Sequence, residues 1–93
     1  MATIQQDTAL DVGKRWVEEA VKRVAGERRV PVAQLRWRDD YPGAFLYTLN
    51  FDVQGAARSK SIELSLREVE ECRNQARKTI RAGIEEQIRK NLQ

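Results

Sequence analysis

Apolar residues along this chain keep two rhythms, a helical one at both ends and a two-residue alternation between them, and these predict a helix, three strands and a second helix. In the first block Leu10, Gly13, Val17, Ala20, Val21 and Val24 share one face. Thr8-Ala9-Leu10-Asp11 sets an acid three residues after a hydroxyl cap and Gly26 supplies a stop, so the helix is expected from about Ala9 to Ala25. Residues 1–6 precede it as a polar tail expected to be flexible. Glu27 to Ala33 reads as a connector, because Pro31 cannot donate to a strand ladder.

In Gln34-Leu35-Arg36-Trp37-Arg38, Leu35 and Trp37 point one way and both arginines the other, a half-buried strand. Asp39-Asp40-Tyr41-Pro42-Gly43 follows as a turn. From Ala44 to Gln54 the alternation is strict, with Phe45, Tyr47, Leu49, Phe51 and Val53 on one face. Gly55 to Arg58 connects to a third strand, in which Ile62, Leu64 and Leu66 alternate with Ser61, Glu63 and Ser65. Ser65-Leu66-Arg67-Glu68 is a capping box, so the third strand should pass straight into a second helix running from about Leu66 to Asn91, some 39 Å long. Its apolar positions, Val69, Cys72, Ala76, Ile80, Ile84, Ile88 and Leu92, advance mostly by four, which turns the stripe by about 40° per step.

These patterns define an α+β fold, a three-stranded antiparallel meander with two helices on its aromatic face in the order α-β-β-β-α. All 93 residues form one domain, since a chain of this length holds only one core. The order is similar to that of double-stranded RNA-binding domains, over roughly Thr8 to Ile84. The likeness is one of topology. Where that family opens its last helix on a basic Lys-Lys-x-Ala-Lys run, this chain has Arg67-Glu68-Val69-Glu70-Glu71. Where the family has Gly-Pro-x-His between its first two strands, Asp40-Tyr41-Pro42-Gly43 stands here. Both departures set acid where phosphate would sit, and we assign no family on this ground.

Composition narrows the function more than it names one. With no His, one Cys and no glycine-rich phosphate loop, the chain offers few parts for catalysis, and a non-enzymatic binding role without cofactor or metal is expected. Seventeen Lys and Arg against fourteen Asp and Glu leave a net charge of +3, a basic protein without the single-sign field of a dedicated nucleic-acid binder. No apolar run approaches the roughly 18 residues of a membrane span. The first residues resemble no secretion signal, so a cytoplasmic protein that meets no membrane is expected. Cys72 falls on the apolar stripe and reads as a small buried hydrophobe. Asp39 and Asp40 are adjacent carboxylates that could serve as an acid/base pair or hold a divalent ion, against the plainer role of favoured turn residues.

Two surfaces remain. The drift of the final stripe and the excess length of its helix predict that Ile84, Ile88 and Leu92 lack a partner inside the monomer, unless the first helix covers them. With Trp16, which lies off the centre of the first helix's apolar face and otherwise folds over the rim of the core, they form a candidate protein interface, in its sharpest form a homodimer through the C-terminal helix. The first expectation is therefore a small protein-binding or adaptor module. The alternative is a nucleic-acid-binding domain using Arg73, Arg77, Lys78 and Arg81 on the flank of that helix, with Arg36 and Arg38 on the sheet. Against it, Glu70–Arg73, Arg81–Glu85, Glu85–Arg89 and Glu86–Lys90 are all at helix-neighbour spacing, and such pairing would neutralise the flank.

Overall fold

A computed structural model describes residues 8–38 and 46–92. The tail 1–6, the Asp39–Asp40 turn and Phe45 lie outside the described residues. The elements are α1 (Ala9–Glu27), β1 (Val32–Arg38), β2 (Leu46–Val53), β3 (Lys60–Ser65), α2 (Leu66–Glu71) and α3 (Lys78–Asn91). The strands form one antiparallel sheet in the order β1-β2-β3, and the expected α+β meander is present with a third helix added.

α1 starts where its cap dictates. The Asp11 amide donates to Thr8 Oγ1 at 3.1 Å and the Thr8 amide donates back to Asp11 Oδ2 at 3.4 Å. It ends two residues later than expected. Gly26 stays helical, and the left-handed turn falls instead on Arg29 at φ 56°. There the Val30 amide reaches Ala25 O and the Arg29 amide reaches Gly26 O, the paired bonds of a Schellman motif.

β1 also begins earlier than the alternation implied. Ala33 pairs with Asp52 and Arg36 with Asn50, so β1 carries one extra residue, and Gln34 accommodates it at φ 54°. This bulge reconciles two parities: Val32 and Leu35, three apart, both pack against the core with Trp37. Leu49 and Phe51 of β2 and Ile62 and Leu64 of β3 fill the same face and are sealed from solvent. The opposite face carries Arg36, Arg38, Thr48, Asn50, Ser61 and Glu63.

The single long C-terminal helix is corrected. α2 ends after Glu71, and residues 72–77 form a turn before α3. Asn74 accounts for the break: its amide donates to Glu71 O, its side-chain oxygen accepts from the Ala76 amide, and its carbonyl accepts from Arg77. A short polar side chain thus replaces helical bonds with local ones. The interruption re-aims α3, so the drifting stripe returns to the core. Ile84, Ile88 and Leu92 pack there beside Val17, Val21 and Val24 of α1. Arg23 of α1 binds Glu85 of α3 at 3.0 Å along the same seam. α2 lies so close to α1 that a Cβ on Gly13 would stand 1.6 Å from Val69 O.

Candidate nucleic-acid interface

The structure withdraws most of the side chains proposed for protein docking. Ile84 and Ile88 are wholly inaccessible and Leu92 is 7% exposed. The expectation that they lack a partner in the monomer is therefore corrected: α1 covers them, and no apolar stripe of α3 is left for a second copy. Trp16 packs at the rim of the core and keeps partial exposure.

The cations are distributed otherwise than along one helical flank. Arg73 and Arg77 belong to the 72–77 turn, Lys78 opens α3, and Arg81 lies one turn further on. Arg73, Asn74, Gln75, Ala76, Arg77 and Lys78 are all exposed, so the turn is a knuckle standing out from the helical layer. Over the nine residues Arg73 to Arg81 the chain carries four cations and no acid.

Of the four ion pairs expected to neutralise this flank, only Glu85–Arg89 forms among the described residues, at 3.8 Å. Glu85 turns its stronger contact to Arg23, Glu86 binds Arg89 rather than Lys90, and Glu71 takes Arg67 at 3.0 Å and Arg77 at 3.6 Å. Arg73 and Lys78 meet no acid among the described residues. α3 has no acid in its first turn and no side-chain cap at Arg77. Positive charge there is held against the positive end of the helix dipole.

Arg81 is fixed differently from its neighbours. Its Nε donates to Cys72 O at 2.7 Å, satisfying a carbonyl freed where α2 ends. Its guanidinium lies over the Trp16 ring, 4.9 Å from the centroid. The Cys72 thiol is buried, with two carbonyls in reach of its one proton, Val69 O at 3.2 Å and Gly13 O at 3.6 Å. Burial pushes this thiol up to about 11, although the Arg81 charge pulls the other way. A thiol so placed is protonated at neutral pH and weakly nucleophilic.

The two arginines of β1 do not join the knuckle. Arg36 folds back on its own strand, donating to Gln34 O at 2.8 Å and to Ser59 Oγ at 3.1 Å, with Asp52 3.6 Å away. Arg38 is exposed on the outer sheet face, opposite Thr48. The helical face of the sheet holds a second cation–aromatic cluster, Lys14 Nζ lying 5.4 Å from the Trp37 ring and 5.2 Å from the Tyr47 ring.

Sequence reasoning missed the Trp16–Arg81 stack and the Lys14 cluster, because both join residues distant in the chain. The one available signal was a Trp set off its helix's apolar centre. No group of three or more His, Cys, Asp or Glu that could hold a metal occurs among the described residues, and none of their helices is long and apolar enough to cross a membrane. Comparison with protein-family models, curated proteins and solved structures finds no match, so function rests on the site itself.

Proposed function

We propose that this chain is a small non-enzymatic domain that binds the phosphate backbone of a nucleic acid through the knuckle between α2 and α3. The observation that carries the reading is the acid-free run from Arg73 to Arg81, with Arg73 and Lys78 exposed and unmatched by any acid among the described residues. Lys and Arg displace condensed counterions from a nucleic acid, so binding must weaken as salt rises. Three phosphate contacts, by Arg73, Arg77 and Lys78, give on a single strand a slope of log K against log salt of about −2. Binding of labelled oligonucleotides measured from about 50 to 200 mM salt tests this, with Arg73→Gln, Arg77→Gln and Lys78→Gln combined expected to remove about two units of slope. A slope that is flat, or unchanged in the triple variant, overturns it.

Protein binding keeps one observation in its favour, on a different surface from the C-terminal helix. Two shallow hollows of about 370 and 310 Å³ share the Pro31–Val32 segment as a common wall. Gln54 donates to Pro31 O, so in an antiparallel ladder the backbone groups of Val32 face outward along the open edge of β1. Lys22 and Arg29 border the first hollow. The occupant that fits is an extended peptide with small apolar residues and an acid beside these cations. Titration with an alternating valine–glutamate peptide should shift the Val32 amide resonance; no shift there dismisses this reading.

A further inference from the structure

Resting on nucleic-acid binding by the 73–81 run, we infer that the bound strand is unpaired and that one of its bases stacks on the Arg81 guanidinium, with Trp16 as the rigid wall behind. Trp16 packs on the core, and the guanidinium covers its ring at 4.9 Å. The Nε bond to Cys72 O fixes the guanidinium a second time, at 2.7 Å. A planar cation bonded through its Nε and set over an indole ring has lost most of the rotamer freedom that a free arginine surrenders on binding. Arg81 nonetheless keeps partial exposure, and no described residue bonds its terminal nitrogens.

The exposed part of this planar group suits a flat partner, since nucleobases stack on guanidinium planes as they do on aromatic rings. In a duplex both faces of a base are covered by its neighbours, whereas a base of a single strand can turn out and insert. Arg77 and Lys78 precede Arg81 by four and three residues and so lie one turn away on its side of the helix, placed for the phosphates flanking that base. The arrangement divides the work: the knuckle supplies charge, and the Trp16–Arg81 stack supplies preference for a base.

Three ligands of ten residues test this with the unmodified protein: a single-stranded oligoadenylate, an abasic strand of equal charge, and a duplex. The oligoadenylate should bind at least about fivefold more tightly than the abasic strand, the lower end of what one stacked base contributes. It alone should change tryptophan emission. Arg81→Lys, which keeps the charge and removes the plane, should bring the preference below about twofold and leave the salt slope unaltered. Salt-dependent binding of equal strength to oligoadenylate and abasic strand overturns the stack while leaving backbone binding standing. Absence of salt-dependent binding to all three overturns both.

Discussion

Gly13→Ala adds one methyl group at the place where α1 and α2 touch through their backbones. An ideal Cβ at residue 13 would lie 1.6 Å from Val69 O and 2.6 Å from the Val69 carbonyl carbon. Carbon and carbonyl oxygen approach to about 3.3 Å at closest, so the helices must part by roughly 1.5 Å or more. Backbone atoms cannot swing aside as a side-chain tip would. Val69 and Cys72, both fully buried, move out with α2. Burying a side chain of this kind contributes roughly 1.5 to 3 kcal/mol, and a gap of this width forfeits much of it at both positions, about 3 to 4 kcal/mol together. Against this, alanine favours a helix over glycine by about 1 kcal/mol. The net loss is about 2 to 3 kcal/mol, a fall in Tm of about 10 to 20 °C for a domain of this size. Gly83→Ala in α3 is the control, since no atom lies within 4 Å of its added Cβ, and it should gain about 0.5 to 1 kcal/mol. Urea and thermal unfolding followed by far-UV circular dichroism measure both. The close approach of α1 to α2 is refuted if Gly13→Ala is as stable as the parent, or shifts in the same direction as Gly83→Ala.

Ile88→Glu places a carboxylate where the residue is fully sealed from solvent, and should cost more than about 4 kcal/mol. It is expected to unfold the monomer, so a folded variant with an unchanged melting curve would show that α3 does not face the core. Cys72 gives a pH signature with a definite sign. Its folded thiol titrates at about 11 against an ordinary value of 9.0, so the folded state holds the proton more tightly. Stability is complete below pH 9 and declines from there toward 11, by up to about 1.4 kcal/mol per pH unit. Cys72→Ala should flatten that decline in denaturant titrations; curves of identical shape for parent and variant contradict the burial argument.

The architecture was legible because period and capping agree in it. Thr8 with Asp11 and Ser65 with Glu68 each close a reciprocal box, and the alternation of Tyr47, Leu49, Phe51 and Val53 survives in the sheet. What escaped reading depends on single residues whose effect is decided by contacts far along the chain. The extra residue at Gln34 shifts β1 by one parity, which in the sequence looks like the end of a strand. Asn74 looks like one polar residue in an amphipathic helix until its side chain takes the Ala76 amide. Missing that break left the drifting stripe without a destination, and a docking surface was assigned to Ile84, Ile88 and Leu92, which belong to the core. The cations are visible in the sequence, but which of them meet an acid is not: Arg77 takes Glu71 and Arg36 takes Asp52, whereas Arg73 and Lys78 meet none among the described residues. Which acid meets which arginine depends on long side chains choosing between equally spaced partners, and Glu85 reaches across to Arg23 of another helix.

The contrast between the three helix starts yields a further test. α1 and α2 both open on complete capping boxes, yet α3 opens on Arg77 and Lys78 with no side-chain cap and no acid in its first turn. A sequence that departs from a local rule it obeys elsewhere does so where another requirement overrides stability. Arg77→Asp restores the ordinary chemistry. A capping side chain contributes about 0.5 to 2 kcal/mol, and an acid at the positive end of the dipole about 0.3 to 1 kcal/mol. Two terms oppose these. The backbone of residue 77, at φ −87° and ψ 59°, must shift toward the extended geometry of Thr8 and Ser65. The exposed Arg77–Glu71 contact at 3.6 Å becomes a repulsion, worth less than about 1 kcal/mol in solvent. The balance is a gain of about 0.5 to 1 kcal/mol, visible as a Tm higher by about 2 to 8 °C. If the cations of the knuckle serve to hold phosphates, the same substitution must weaken oligonucleotide binding and lessen its salt dependence, because two charges are lost from the run at once. A variant that is more stable and binds as well as the parent would mean that the uncapped, cationic start of α3 has no part in binding.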